Sequence, residues 1–199
     1  MRLLLVLLFP FTLYSQVNWL PPANDAGFTF GVGAGYSHAI SSFYKEPSQL
    51  NLGFKALSRF NKHIGLGFTG EIFEPPKRNR KPITIDNNGV IFESDSGYGI
   101  SNLKLDLEIS SEEILDNFRP TLQLGVGYSS LGVDSIFKNT ISYNIGFVGY
   151  FALERSMVST ELSFTRTPFR YRFGDDTNGG LLAFKITYYF CFPFLSWDL

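Results

Sequence analysis

At 199 residues the chain is long enough for one ordinary domain and too short for two large ones. Hydrophobic residues are 44%, which excludes intrinsic disorder; charged residues are only 18% and aromatics 17%, and with 19 Gly this balance favours strands over helices. A net charge of −1 leaves no basic excess to hold a phosphate backbone, so no nucleic-acid partner is expected, while one Cys (Cys191) and two His (His38, His63) exclude an internal disulfide and speak against a zinc site.

Met1 and Arg2 precede an apolar run from Leu3 to Tyr14, interrupted by Pro10 and Thr12, with small Ser15 after it. A positive start, a short apolar stretch and a small residue are the parts of a secretory signal peptide, expected over 1–16 with cleavage near Ser15 or Gln16. The run is shorter than the roughly 20 apolar residues of a spanning helix. Residues 17–26 form a short lead containing prolines. No later segment reaches helical spanning length, so membrane entry would require a barrel.

From Gly27 onward apolar residues alternate with small or polar ones, and a period of two means strands. Eight segments carry the pattern: Gly27–Ile40, Leu50–Arg59, His63–Phe73, Gly99–Ser110, Pro120–Ser130, Thr140–Phe151, Met157–Thr167 and Gly180–Phe190. Each holds about ten residues, enough to cross a bilayer when tilted. The connections after the second and sixth segments (Phe60–Lys62, Ala152–Ser156) are short and that after the fourth is moderate. Glu74–Tyr98 and Pro168–Gly179 are long and polar, and the connections after the first and fifth are intermediate. Short turns on one side and longer loops on the other predict an all-β, eight-stranded antiparallel up-and-down transmembrane β-barrel over 27–192, its N-terminus in the periplasm and a tail at 193–199. Within the longest loop, Thr84 to Phe92 is apolar enough for a short β-extension.

Alternation does not say which face points inward. A soluble lipocalin-like barrel would aim its apolar face at a ligand, and a membrane barrel would aim it at lipid. Three features favour lipid. Gly31, Gly33, Gly35, Gly53, Gly65, Gly67, Gly125, Gly127 and Gly146 lie on the polar face, where a narrow lumen needs small residues beside long ones. Lys55, Lys104, Lys185, Glu71, Asp106, Glu108 and Glu161 share that face, whereas the apolar stripes lack charge over their central stretches. Phe28, Tyr36, Phe73, Tyr98, Tyr128, Tyr143, Tyr188 and Phe190 fall near segment ends, as interfacial girdles require.

The segments FTFGVGAGYSHAI, PTLQLGVGYSSLG and GGLLAFKITYYF carry a resemblance to the small eight-stranded outer-membrane barrels, the OmpA/OmpX-like superfamily. Within it the chain looks most like the PorT-like outer membrane protein β-barrel group of Bacteroidota. The resemblance spans Gly27 to Phe190 and implies an outer-membrane protein of the cell envelope, with a link to secretion machinery among its members. Such barrels often end on an aromatic residue. Here CFPFLSWDL follows Phe190, and Phe192, Phe194 and Trp197 are candidate interface anchors.

The mixed-sign residues on the polar face predict a lumen charge network: Lys55, Glu71, Lys104, Asp106, Glu108, Glu161 and Lys185. Counting from the Phe60–Lys62 turn sets Lys55 opposite Gly67 and places Glu71 above its direct reach. Glu161 and Lys185, on adjacent strands, are predicted to pair. The network is expected to act as a polar plug, with a gated ion path as its alternative. A basic cluster, Lys77, Arg78, Arg80 and Lys81, opens the longest loop; Arg166, Arg170 and Arg172 lie near the last one. These are candidate contacts to the anionic phosphates of lipopolysaccharide.

Catalytic patterns are weak. Ser41 lies three residues after His38, on the opposite face, and His63 has no Ser at the spacing of a lipid A deacylase. Asp175 and Asp176 read as turn residues, far in sequence from either His. The expectation is an outer-membrane barrel with a structural, adhesive or assembly-partner role exerted through its outer loops, without enzymatic activity, cofactor or metal. Outer-membrane lipids, lipopolysaccharide and envelope or secretion-machinery proteins are the expected partners. The alternatives are an outer-membrane enzyme or narrow channel, and a secreted soluble barrel carrying an apolar ligand.

Overall fold

The computed structural model describes residues 27–39, 48–74, 83–87, 90–94, 99–111, 118–133, 136–153, 156–168 and 179–191. Ten strands follow in chain order: β1 (Gly27–Ala39), β2 (Ser48–Arg59), β3 (Ile64–Glu74), β4 (Ile83–Asn87), β5 (Val90–Ser94), β6 (Gly99–Ser110), β7 (Phe118–Val133), β8 (Ile136–Ala152), β9 (Ser156–Thr167) and β10 (Gly179–Cys191). Eight of them close an antiparallel barrel in the order β1-β10-β9-β8-β7-β6-β3-β2. Neighbours in sequence are neighbours in space, and β1 closes onto β10 from Thr29↔Cys191 to Ala39↔Leu181. Closure removes the open edges that a sheet of this size would otherwise present.

The remaining pair, β4 and β5, forms a two-stranded sheet within the longest connection, Ile83 facing Ser94 and Asn87 facing Val90. This is the β-extension expected between Thr84 and Phe92, with wider bounds. The connection expected between Ser130 and Thr140 is different. Pairing of β7 with β8 continues to Val133↔Ile136, so only residues 134–135 join them. Apolar Leu131, Val133, Ile136 and Phe137 prolong both strands, which then need only a two-residue link.

The end carrying the start of β1 and the end of β10 also carries the β2–β3, β6–β7 and β8–β9 connections; it is termed the turn end, and the opposite one, which includes the two-residue β7–β8 link, the loop end. At the turn end Asn61 Oδ1 accepts the backbone N–H groups of His63 and Ile64, at 2.8 and 2.9 Å, and Phe60 N–H donates to the Ile64 carbonyl at 3.0 Å. This capped turn is wider than the Phe60–Lys62 connection read from sequence. Lys55 therefore stands opposite Thr69, not Gly67. The shift is two residues, and a shift of two keeps every side chain on its face.

The exterior is apolar. Val32, Leu52, Phe68, Leu105, Ile145, Leu162 and Ile186 stand out from the wall, each about half exposed, while Lys55, Thr69, Asp106, Asn144, Glu161 and Lys185 are buried inside. Tyr36, Tyr128 and Tyr143 lie toward the loop end, and Phe118, Phe151, Tyr188 and Phe190 toward the turn end. Four of these form two packed pairs, Phe118–Phe151 with ring centroids 4.8 Å apart and Tyr188–Phe190 at 5.2 Å. Phe73 is a correction to the girdle. It shares its face with Glu71 and is 1% exposed inside the barrel. Strand parity overrides proximity to a strand end. Tyr98, Phe192, Phe194 and Trp197 lie outside the described residues.

Candidate functional site

The lumen is layered. At the turn end Leu57, Val148, Tyr150, Ala152, Met157 and Tyr189 form an apolar cluster. Toward the loop end Phe73, Ile100 and Leu131 sit in successive register on β3, β6 and β7, all buried. Between these layers lie the charges. Four cations (Lys55, Lys104, Lys185 and, on the turn side of Leu57, Arg59) and four anions (Glu71, Asp106, Glu108, Glu161) make up this buried set. Arg119 is buried at the turn end, where Nη1 donates to the Lys62 carbonyl at 3.1 Å.

The ion pairs form a chain of alternating sign. Lys104 Nζ lies 2.8 Å from Glu71 Oε2, and Lys185 Nζ lies 2.5 Å from Glu71 Oε1 and 3.3 Å from Glu161 Oε2. Lys55 Nζ lies 3.9 Å from Glu161 Oε2 and 2.5 Å from Glu108 Oε1. Arg59 Nη2 is 3.9 Å from Glu108 Oε2, and its guanidinium stands 4.9 Å from the Tyr150 ring centroid. Tyr150 Oη lies 2.8 Å from each Glu108 oxygen, positioned to donate to the carboxylate, and Lys55 Nζ also donates to Gln123 Oε1 at 3.3 Å. Glu161 and Lys185 are register partners on β9 and β10. Glu71 meets Lys104 and Lys185 instead of Lys55. The Lys185–Glu71 contact crosses the lumen, because β10 and β3 are not neighbours in the barrel.

Asp106 belongs to a second set. Its carboxylate accepts from Thr69 Oγ1 and from Asn144 Nδ2, both at 3.1 Å, while Thr165 Oγ1 donates to Asn144 Oδ1 at 3.1 Å. Buried charges are costly unless compensated; Glu71 and Glu108 have both ion pairs and hydrogen bonds, Asp106 has hydrogen bonds, and Glu161 has the ammonium groups of Lys185 and Lys55 beside it. Glycine makes the close approaches possible. A Cβ on Gly125 would collide with the Asp106 carboxylate; one on Gly127 would stand 2.8 Å from Lys104 Cγ, and one on Gly67 3.0 Å from Lys55 Cε.

Arg59, Tyr150 and Tyr189 are parts of the lumen that the sequence reading left out, whereas Gln123 and Asn144 were on its polar face but not in its network. Parity places Arg59 with Lys55 and Tyr189 with Lys185. The large apolar or aromatic members hid that signal, because they interrupt an otherwise small and polar stripe. The loop cations Lys77, Arg78, Arg80, Lys81, Arg170 and Arg172 lie outside the described residues, as do Asp175 and Asp176. Arg166 is described: it faces outward near the loop end, in register with Tyr143. His38 lies at the loop end of β1, and His63 at the turn end, its Nδ1 3.2 Å from the Ser110 carbonyl oxygen. The two imidazoles therefore belong to opposite ends of the barrel. The lipocalin-like alternative requires an apolar lumen; this lumen is ionic and the exterior apolar.

Among solved structures, the chain superposes on Neisserial surface protein A with a TM-score of 0.62 and 12% identity, over 84% of this chain and 98% of that one. The N-terminal β-barrel domain of Pseudomonas aeruginosa OprF gives a TM-score of 0.47 and 10% identity, over 81% and 97%. Ail, the attachment invasion locus protein of Yersinia pestis, solved in complex with the heparin analogue sucrose octasulfate, gives 0.47 and 12%, over 83% and 99%. No protein-family model matches the chain, and no curated protein matches it in sequence. The likeness to the Neisserial protein is one of fold, here a closed eight-stranded antiparallel barrel.

Proposed function

We propose that this chain is an integral outer-membrane barrel, exported by a signal peptide at 1–16, whose role is structural, adhesive or that of an assembly partner. The observation that carries the reading is the inversion of polarity: an apolar exterior around an interior of paired charges with an apolar layer toward each end. Hydrocarbon suits such an exterior, and a lumen filled by its own paired side chains supports a plug. Work is then left to the loops. Residues 17–26 lead into the barrel at the periplasmic turn end, the barrel runs to 192, and 193–199 form a tail. Membership of the PorT-like group of Bacteroidota, and with it an envelope or secretion-machinery partner, is part of the same proposal.

Lys77, Arg78, Arg80, Lys81, Arg170 and Arg172 would contact lipopolysaccharide phosphates from the loop end. Outward-facing Arg166 supports this, because it sets a cation at that rim. The role is non-enzymatic and needs no cofactor.

Gel mobility of the membrane-extracted protein, with and without boiling, tests the membrane reading together with outer-membrane fractionation. A boiling-dependent shift of a protein found in that fraction is expected; an unshifted protein free in the periplasm or medium would overturn it. For the plug, planar-bilayer current through wild type should stay at baseline, and Lys185→Met or Glu161→Gln should not open a steady conductance. A conductance that shifts in those variants while folding holds would replace the plug with a gated path.

A further inference from the structure

The lipid-facing wall is not uniform. Pro120 of β7, Gly149 of β8 and Thr160 of β9 are consecutive register partners, and all three face outward. They form the floor of a groove of about 250 Å³ on the outer wall. The next row toward the loop end is tall: Phe147 is 67% exposed and pairs with Leu162 at 50%. The next row toward the turn end holds Phe118, whose ring covers Gly149; a Cβ there would stand 2.7 Å from Phe118 Cε2. Pro120 costs the ladder little at this position. Its carbonyl accepts from Ser111 N–H, just past the end of β6, so its nitrogen faces a side where the ladder has run out.

Rows on one face of a strand recur every ~6.7 Å, so one low row between two tall ones leaves a channel across the strands. Three strands make it roughly 10 Å long. Its lining is almost wholly apolar, with Phe118, Phe147, Leu162 and Phe184 around it, so it suits a length of hydrocarbon chain and not a charged headgroup. Its ridges are part of the apolar belt, and its floor lies three residues from the end of β8 at Ala152, on the turn side. With the turn end in the periplasm, that is the phospholipid leaflet.

We infer that this groove is a binding site for one acyl chain of an inner-leaflet phospholipid, held over Pro120, Thr160 and the Phe118-covered Gly149, between the Phe147–Leu162 ridge on one side and Phe118 on the other. The inference rests on the membrane reading above. Hydrocarbon filling the channel recovers the contacts that a gap forfeits, and a chain lying across tilted strands follows the channel's direction.

The test uses full-length protein in phosphatidylethanolamine vesicles doped with phosphatidylethanolamine carrying a diazirine in mid-acyl chain. After irradiation, adducts are mapped by peptide mass spectrometry. Labelling of the β8–β9 segment several-fold above that of outward-facing β2–β3 is expected. Thr160→Phe, which fills the floor, should bring it down to the belt average, and Leu162→Ala, which lowers a ridge, should reduce it in part. Both variants are first checked for the boiling-dependent gel shift. Even labelling around the wild-type belt would overturn the site, as would undiminished β8–β9 labelling in folded Thr160→Phe. A dimer band after separate amine cross-linking, with β8–β9 labelling falling as the protein-to-lipid ratio rises, would overturn it in favour of a protein occupant. Failure of wild type to insert into the vesicles would refute the membrane reading itself and so is distinguishable from these results.

Discussion

Glu71→Gln removes the shared centre of the lumen chain. Its two oxygens hold Lys104 at 2.8 Å and Lys185 at 2.5 Å. At an effective dielectric near 20 each contact has a gross attraction of about 6–7 kcal/mol, most of which offsets the cost of burying the charges. The substitution keeps the shape but leaves four cations facing three anions. Lys185 retains Glu161 at 3.3 Å, whereas Glu71 is the carboxylate that holds Lys104. Removing one partner of a buried pair costs about 3–5 kcal/mol, and that is the expected destabilisation. The assay is urea unfolding of the vesicle-inserted barrel, read from the heat-modifiable band and extrapolated linearly to water. The double variant Glu71→Gln/Lys104→Met restores charge balance and should recover most of the loss. A cost below about 1 kcal/mol for the single variant, the range of exposed pairs, would refute the reasoning. It would mean that water screens the lumen and that the ion pairs do not plug it.

Three further outcomes follow from the same geometry. Gly125→Val places a methyl-bearing carbon against the Asp106 carboxylate, which Thr69 and Asn144 hold in place; a loss of about 1–3 kcal/mol and a reduced yield of folded band are expected, and an unchanged yield would show that Asp106 is free to move. Leu105→Arg, outward-facing near the centre of β6, should cost about 2–4 kcal/mol in vesicle refolding, whereas Ser101→Arg, outward-facing near its loop end, should cost about 0–1. Equal costs at the two positions would contradict a lipid-facing wall. Tyr150→Phe removes the hydroxyl positioned between both Glu108 oxygens; a loss of about 1.5–3 kcal/mol in the same urea assay is expected, and none would mean that Lys55 alone satisfies Glu108.

Alternation made much of the fold legible. A period of two placed Lys55, Asp106, Glu161 and Lys185 on one face and Leu52, Leu105, Leu162 and Ile186 on the other, and that assignment survives a two-residue error of register at the Asn61-capped turn. The same rule applied to its end would have sent Phe73 inward with Glu71, but its place near a strand end suggested a girdle. Apolar residues such as Leu57 and Tyr189 were hidden for the opposite reason: they sit on the polar stripe and close the turn end.

What the chain by itself determined is the face of each side chain and the number of strands, because both follow from local backbone geometry. Tertiary structure alone decided which charges meet. Strand pairing sets Glu161 beside Lys185, but only closure of the cylinder brings Lys185 on β10 across the lumen to Glu71 on β3. It likewise brings Lys55 of β2 to Glu108 of β6, because contacts through a barrel's interior depend on its diameter and stagger, which no single strand contains.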